Sequence, residues 1–323
     1  MKVLVVGAGA VGLVYGRHLQ LGGAKVSFLV KEKHAAEARA GYDVYLLNKG
    51  RKRPPVRFEG FEVLTEPSEA VGAGFDQLWL CVSSTALKAG WLDAVIEAVG
   101  PDCTVVGMQP GADDKDYVLA RCAADRLVWG LITFISYQSP LPGEELGEGL
   151  AYWLPPLTPN PFGGPEARAR SVVDALNRGG CRARLDPAMV ERTGIGGAAL
   201  IPWIAALEGA GWSLSELRSG PMLSLASGAA LEAAQIVAAH EGGSVPLLLK
   251  MARPWMIKLL LPMAPLFVPL PLEIYLKYHF TKVGDQTRDM LNTYASMGRK
   301  QGQPFGQIEA LQSRLLSAPG GGA

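Results

Sequence analysis

The sequence predicts an α/β fold, in which a doubly wound parallel sheet is followed by an all-helical C-terminal domain. Over the first 185 residues, compact apolar runs alternate with stretches of helical length, which is typical of strand–helix–strand units. A glycine-rich turn directly follows the first apolar run. After residue 186 the β-like runs disappear, and segments rich in Ala, Leu, Glu and Gln replace them. A length of 323 residues allows two domains, expected at residues 1–185 and 186–318.

The predicted strands are apolar on both faces, as strands buried in a parallel sheet are. They are residues 3–6, 26–30, 78–82, 104–108 and 127–134. Residues 11–21, closed by Gly22 and Gly23, form the first predicted helix. Two further runs, 42–47 and 56–64, flank a polar stretch and predict an inserted antiparallel hairpin.

The helical half is predicted to begin at Asp186-Pro187, because Asp is a good N-cap and Pro suits the first helical position. Residues 225–239 and a segment starting near Gly284 are predicted helices. The last five residues, 319–323, are expected to form a disordered tail.

Composition excludes several classes of protein. The chain has 31 Lys and Arg against 30 Asp and Glu, so nothing draws it generally to nucleic acid. No signal peptide is recognised, and the longest uncharged apolar run, 259–272, is too short and proline-rich to span a membrane. The cysteines lie far apart and read as reduced core residues, so we expect a cytoplasmic protein without a metal site. They are Cys81, Cys103, Cys122 and Cys181.

The glycine-rich turn has the spacing GxGxxG, placed between a predicted strand and a predicted helix, as in Rossmann-type dinucleotide-binding domains. Its residues, Gly7, Ala8, Gly9, Ala10, Val11 and Gly12, are predicted to hold a pyrophosphate at the helix N-terminus. The residue ending the second strand selects the cofactor. Lys31 stands where NAD-binding domains carry an acid, which favours NADP(H), although Glu32 one position later leaves NAD open.

The chain resembles the ketopantoate reductase family. The resemblance is carried by residues 1–19, the VVGMQPG segment at 105–111, the GLIT segment at 130–133, and ALIP and QIEA in the second half. It implies a two-domain NADPH-dependent enzyme that reduces a 2-keto acid in a cleft between a Rossmann domain and a helical domain. Ser83 and Gln109, which follow the third and fourth predicted strands, are further candidates for cofactor contact.

Several functional side chains of that family are absent from this sequence. Pro110 replaces an Asn that helps to orient substrate and nicotinamide. By spacing from Pro202, the proton-donating Lys falls on Thr193, and two Asn positions fall on Gly197 and Ile201. Gln307 replaces a substrate-binding Glu. Ketopantoate itself is therefore an unsuitable substrate by the family mechanism.

The remaining catalytic candidates are weak. Arg192 adjoins the vacated lysine position, where it would clamp a carboxylate or lie exposed on a helix. His240 has a suitable intrinsic pKa, but a His near a helix C-terminus more often complements the helix dipole. Glu309 is the carboxylate nearest the lost Glu. We expect an NADPH-dependent oxidoreductase acting on a C=O or C=N group of a small molecule larger and less polar than ketopantoate. The alternative is a non-catalytic NADP(H)-binding sensor or partner-binding protein.

Residues 245–272 are rich in Pro and Leu and contain no acid. Burial against the domain or a second subunit of a homodimer is the favoured interpretation. An apolar substrate pocket and contact with lipid are the alternatives.

Overall fold

The computed structural model describes residues 1–50, 54–111, 113–251, 253–263, 267–281 and 284–316, with the side chains of 190–193, 248 and 284–286 also left aside. The chain divides into two compact units, Met1–Val190 and Glu191–Ala323. The division falls slightly later than residue 185, because the long helix at the junction begins at Met189 rather than at Asp186. Asp186 instead pairs with Arg184 at 2.9 Å, and its backbone carbonyl accepts the Met189 N–H. The predicted tail 319–323 lies outside the described residues.

The first unit combines twelve strands with six helices along the described chain. In order these are β1 Lys2–Val6, α1 Ala10–Leu21, β2 Lys25–Leu29, α2 Ala35–Ala40, β3 Tyr42–Leu46, β4 Val56–Phe58, β5 Glu62–Leu64, β6 Gln77–Leu80, α3 Ser84–Leu87, α4 Leu92–Val99, β7 Thr104–Gly107, α5 Asp114–Leu119, β8 Leu127–Gly130, β9 Ile135–Ser139, β10 Gly149–Trp153, β11 Asn160–Gly163, α6 Glu166–Arg178 and β12 Ala183–Leu185.

The main sheet has the strand order β12-β11-β8-β7-β6-β1-β2-β5. All neighbours are parallel except β11 and β8, which pair antiparallel. The chain moves outward from β1 to β2 on one side and from β6 to β8 on the other. The order therefore reverses between β1 and β6, where ligands of open α/β sheets bind beside the carboxyl ends of the strands. The predicted doubly wound sheet is confirmed.

Alternate residues of β1 enter two separate cores, which explains why the strand is apolar throughout. Val3 and Val5 belong to the cluster that includes α1, α6 and the smaller sheet. Leu4 and Val6 belong to the cluster that includes α4. Each face of the sheet is thus covered, which holds the carboxyl ends of the central strands in fixed positions.

The predicted hairpin is correct in its first half and wrong in its second. β3 pairs antiparallel with β4, and β3 also pairs with β10 in a four-stranded sheet of order β4-β3-β10-β9. Gly60 then takes a left-handed φ of +77°, and the chain re-enters the main sheet as β5, parallel to β2. Residues 56–64 are therefore two short strands in different sheets.

The second unit is helical in all its described elements. These are α7 Met189–Gly209, which begins at the junction, α8 Leu214–Ser219, α9 Met222–Glu241, α10 Leu247–Met251, α11 Pro254–Leu260, α12 Leu272–Thr281, α13 Gly284–Gln301 and α14 Gly306–Leu316. The helices predicted within 225–239 and from Gly284 are confirmed as α9 and α13.

Helix α9 forms the centre of this unit. Its alanines at 226, 229, 230, 233 and 234 are buried, so that α13 and α14 pack closely against it. Within the described chain, α9 alone is long and apolar enough to cross a membrane, by length and composition. More than half of it is buried in the second unit, as expected for a core helix.

Candidate functional site

The glycine-rich turn lies at the carboxyl end of β1, at the reversal of strand order. Gly7 donates its N–H to the carbonyl of Leu29 at 3.0 Å, and it has a φ of +97°. A β-carbon at Gly7 would lie 2.8 Å from the carbonyl oxygen of Cys81, which follows β6. Both the left-handed backbone and the close approach of β6 require glycine here.

Gly12 allows α1 to lie directly against the turn. A β-carbon at this position would be 2.0 Å from the Gly7 carbonyl oxygen and 3.2 Å from the Cys81 β-carbon. Gly12 is buried in the first turns of α1. The third glycine of the motif therefore sets the distance between the helix and the two central strands.

Gly9 differs from the other two glycines because the protein itself does not require it. Its φ is −78°, which any residue adopts, and a β-carbon there would meet no atom within 4 Å. It is the N-cap of α1, with no side-chain cap and no acid in the first turn. The first N–H groups of a helix lack intrahelical partners and favour an anion. Gly9 thus leaves an open approach to a helix N-terminus suited to phosphate.

Lys31 lies at the end of β2. The N–H of Val30 still donates to the Leu64 carbonyl at 3.0 Å, so Lys31 is the first residue beyond the strand pairing. It has an extended backbone and an exposed side chain. Glu32 begins a short 3₁₀ turn that reaches His34, so the carboxylate follows the change of chain direction. Lys31, and not Glu32, is therefore the charged residue at the end of β2.

Ser83 and Gln109 lie at the carboxyl ends of β6 and β7, and both make contacts within the protein. Ser83 is the exposed N-cap of α3, and its hydroxyl accepts the Ala86 N–H. Gln109 is buried, and its amide donates to the carbonyls of Leu80 at 2.6 Å and Val82 at 3.0 Å. Gln109 therefore fixes the backbone after β6, next to the glycine turn.

A polar cluster that the sequence analysis missed lies at the same edge. Asp114 is fully buried and accepts hydrogen bonds from Ser84 Oγ at 2.5 Å and from the Gly111 N–H at 2.8 Å. Lys88 Nζ lies 3.1 Å from Asp114 and 2.8 Å from Asp113. The signal in the sequence was the pair of aspartates directly after the turn that follows β7.

The pKa of Lys88 is the outcome of opposing effects. Partial burial lowers the pKa of Lys88, but hydrogen bonds to Asp113 and Asp114 raise it more, so the side chain is an ammonium ion at neutral pH. The same contact with Lys88 lowers the pKa of Asp113. The cluster thus holds a partly exposed cation beside a buried carboxylate.

The catalytic candidates of the second unit are not brought together with one another by any described contact. His240 is exposed in the last turn of α9, where a His complements the helix dipole. Glu309 forms a surface ion pair with Arg299 at 2.7 Å. Arg192 lies in α7, and its side chain is outside the described set.

The structure also places three of the positions that lack the family's polar side chains. Ile201 is buried in α7, and Gly197 is half-buried on the same helix. Gln307 lies at the start of α14, where its N–H donates to Glu232 Oε2 at 2.8 Å. Glu232 accepts the Ile308 N–H as well and so caps α14.

An open groove of about 530 Å³ lies in the second unit. It is lined by α8 and by the segment before and at the start of α12, and it contains none of the predicted site residues. Among the described residues no group of His, Cys, Asp and Glu could hold a metal ion. The cysteines are free, with Cys103, Cys122 and Cys181 buried as predicted and Cys81 half-buried beside the glycine turn.

Part of the first unit matches a known protein family. Residues 3–145 match the family described as ketopantoate reductase PanE/ApbA, and this range contains the glycine turn, Lys31 and Gln109. The resemblance predicted from the sequence is therefore confirmed over residues 3–145, which make up less than half of the chain. No curated protein matches the sequence.

Solved structures extend the likeness over almost the entire chain. The 2-dehydropantoate 2-reductase of Geobacter metallireducens is 17% identical with a TM-score of 0.73, covering 99% of this chain and 100% of that one. A D-mandelate dehydrogenase solved with NADH and anilino(oxo)acetate is 17% identical with a TM-score of 0.70, covering 97% of each chain. A dimeric ketopantoate reductase of Staphylococcus aureus is 12% identical with a TM-score of 0.67, covering 97% and 96%. At such low identity these likenesses establish the shared fold.

Proposed function

We propose that this chain is an NADPH-dependent oxidoreductase of the ketopantoate reductase type. Its reaction is hydride transfer from the cofactor to a C=O or C=N group of a small molecule larger and less polar than ketopantoate. The observation that carries the proposal is the open space at Gly9, above a helix N-terminus without an acid or a side-chain cap. Neither the backbone conformation of Gly9 nor its surroundings within the protein require a residue without a side chain, so the space beside it is available to a ligand.

The residues present fit a nicotinamide dinucleotide. The backbone N–H groups at the start of α1 would hold the pyrophosphate. Gly7 and Gly12 let the turn pack closely against β6 and α1, so that the pyrophosphate could approach the backbone. Lys31 would contact the 2′-phosphate of NADP, since its exposed ammonium is the first charge beyond β2. The carboxyl ends of β6 and β7, with Ser83 and the backbone fixed by Gln109, would border the nicotinamide.

The preference for a less polar substrate follows from the positions that the resemblance assigns to substrate. Thr193, Gly197 and Ile201 stand in place of a Lys and two Asn, and Pro110 replaces a third Asn. A site without those groups makes fewer side-chain hydrogen bonds to a small hydroxylated acid and so binds it less well. An apolar substrate needs fewer of them.

Cofactor titration tests the proposal. Purified protein is titrated with NADPH and with NADH while the nicotinamide fluorescence is recorded. A phosphate contact with Lys31 predicts an NADPH preference of about tenfold to a hundredfold, since a hydrogen bond to a charged group contributes about 1.5–3 kcal/mol. Lys31→Ala removes this preference with little effect on NADH. Lys33→Ala, an equally exposed cation in the following turn, is the matched control and leaves the preference intact.

Substrate screening follows in the same protein. Oxidation of NADPH by members of a panel of carbonyl and imine compounds of graded polarity is expected, with activity increasing towards the apolar members. In the cofactor titration, equal affinity for NADPH and NADH would contradict the role of Lys31. Binding of neither cofactor would contradict the dinucleotide site altogether.

A non-catalytic NADP(H)-binding sensor or partner-binding protein is the second candidate function. It is favoured by the second unit, where His240 is exposed and Glu309 is held by Arg299 on the surface. Tight NADPH binding without oxidation of the cofactor by any compound of the panel is the result that would select it.

A further inference from the structure

Exposed large apolar side chains concentrate in one segment of the second unit among the described residues. Within residues 247–274 the most exposed are Leu247, Trp255, Leu259 and Phe267, at 67–70%. Of the two forms of burial favoured from the sequence, burial against the domain itself is therefore wrong for these residues, and burial against a second subunit is not tested by their exposure in one chain. Soluble proteins seldom leave such a patch exposed without a binding role.

The exposed side chains follow a pattern that is repeated in two consecutive helices. In α10, Leu247, Lys250 and Met251 are exposed, and in α11, Trp255, Lys258 and Leu259 are exposed. Both sets have the spacing i, i+3, i+4, which places their members on one face of a helix. Each helix thus presents an apolar residue, a lysine and a second apolar residue outward.

The opposite side of the segment is anchored in the core of the second unit. Leu249, Ile257 and Leu261 pack against that core. At the two ends of the segment, Val245 and Leu270 are buried at 8% and 3% exposure. The outward stripe, which we call the 247–259 stripe, is therefore the exposed face of elements that are themselves packed.

The charges of the segment have a single sign. From Gly242 to Leu272 the sequence contains three cations, Lys250, Arg253 and Lys258, and no acid. All three are exposed, and none forms an ion pair within the described part of the chain. A partner for this face has to be apolar and anionic at once.

We propose that the 247–259 stripe docks on the surface of a membrane that contains anionic phospholipid. Trp and Leu would enter the boundary between headgroups and acyl chains, while the lysines extend to the phosphates. The two helices, of five and seven residues, would lie in this boundary, because they are too short to cross the membrane. The proposal concerns the second unit and stands whether or not the cofactor site is catalytic.

Charge also argues against a second copy of the chain as the occupant. A two-fold symmetric dimer places the same patch against itself. Such an interface would bring six cations together, three from each copy, with no acid in the patch to compensate them. An anionic lipid surface supplies the opposite charge to every cation of the stripe.

Cosedimentation of the full chain with lipid vesicles tests the proposal. Vesicles of phosphatidylcholine alone are compared with an equal mixture of phosphatidylcholine and phosphatidylglycerol. We expect partition onto the mixed vesicles that weakens when salt is raised, because the lysine–lipid attraction is screened. A cation near an anionic surface contributes about fivefold to partition, so Lys258→Ala is expected to reduce it by about that factor.

Matched variants separate the stripe from general surface effects. Trp255→Glu and Leu259→Glu place a charge on exposed positions, so folding is preserved, and partition is expected to fall by about tenfold or more. Val71→Glu, at a similarly exposed apolar position of the first unit, and Lys300→Ala, at an exposed lysine of the second unit, leave partition unchanged.

Two results would overturn the proposal. Vesicle binding that is absent, or equal for both lipid compositions and for all variants, excludes docking through the stripe. A chain that self-associates without lipid and becomes monomeric with Trp255→Glu would assign the stripe to an interface between copies. A circular dichroism spectrum and a urea unfolding curve of Trp255→Glu that match those of wild type confirm that the variant is folded whether or not the chain binds NADPH, so failure here is distinct from failure at the cofactor site.

Discussion

The carbonyl oxygen of Gly7 occupies the place where the β-carbon of any other residue at position 12 would lie, at a separation of 2.0 Å. This relationship joins the end of β1 to the first turn of α1. The neighbouring Gly9 has no such neighbour within 4 Å. The two glycines of the motif therefore have different roles. Gly12 is required by close packing within the fold, whereas Gly9 leaves space for a ligand.

Substitution separates these two roles. Gly12→Ala forces α1 away from the turn, and overpacking of this kind costs about 1–3 kcal/mol of the free energy of unfolding. Urea denaturation followed by circular dichroism measures this loss. Unchanged stability of Gly12→Ala would contradict the close contact with Gly7.

Gly9→Ser tests the role of Gly9 with the fold preserved. Serine is a good N-cap, so the free energy of unfolding is expected to stay the same or rise slightly. The added side chain fills the approach to the helix N-terminus, and the Kd for NADPH is expected to rise at least about tenfold, or about 1.4 kcal/mol. Wild-type affinity in Gly9→Ser would show that phosphate does not approach Gly9.

The buried carboxylate of Asp114 gives a second pair of variants. Asp114→Ala leaves the Ser84 hydroxyl and the Gly111 N–H without their acceptor, and it is expected to cost about 2–3 kcal/mol of stability. Asp113→Ala removes a carboxylate that is 78% exposed and is expected to cost less than about 1 kcal/mol. Denaturation of both variants measures the difference, and equal losses would contradict the structural role of Asp114.

His18 predicts a dependence of stability on pH. Its Nδ1 lies 2.7 Å from the Gly179 carbonyl oxygen, so Nδ1 carries the proton, and Nε2 lies 3.1 Å from the Tyr152 hydroxyl. Burial lowers the pKa of His18 below 6.5, the hydrogen bond to Gly179 opposes this, and the charge of Arg17 lowers the pKa further. Folding therefore favours the neutral ring.

The sign of the effect follows from the lowered pKa. The contribution of His18 is fully present above pH 6.5, its unfolded value, and is lost as the pH falls through the lower folded value. The free energy of unfolding should fall by at most about 1.4 kcal/mol per pH unit on account of this one group. Urea denaturation of wild type and His18→Gln across this range measures it. A wild-type slope no steeper than that of the variant would contradict the prediction.

The ion pair between Arg299 and Glu309 lies on the surface, which bears on Glu309 as a catalytic candidate. The two side chains are 64% and 46% exposed, so the pair is expected to contribute less than about 1 kcal/mol in a double-mutant cycle. Glu309→Gln should leave kcat for NADPH oxidation within about a factor of two once a substrate is known. A large fall in kcat with unchanged stability would restore Glu309 as a catalytic group.

The candidate site was only partly predictable from the sequence. Residues whose role depends on near neighbours in the sequence could be recognised, and residues whose role depends on distant segments could not. The glycine turn could be recognised because a tight turn, a close approach and a helix start all fall within six consecutive residues. Gln109 was recognised by its position after a strand, but its contacts with Leu80 and Val82 come from a neighbouring strand far away in sequence. Asp114 was missed because its partner Ser84 lies thirty positions earlier.

The segment 56–64 illustrates the same limit in the fold. Its residues alternate as a strand should, but nothing local states that Gly60 sends β4 and β5 into two different sheets. Strand partners are chosen by hydrogen bonds between distant parts of the chain, which periodicity does not encode.

The sequence by itself determined the doubly wound sheet, the helical second half and the position of the dinucleotide motif, because each depends on spacing within a few residues. Tertiary structure alone decided that Gly9 faces open space while Gly12 meets Gly7, and that Trp255 and Leu259 are exposed. Exposure and close approach are properties of two or more distant segments packed together, and a pattern of apolar residues is the same whether its face meets a core or a membrane.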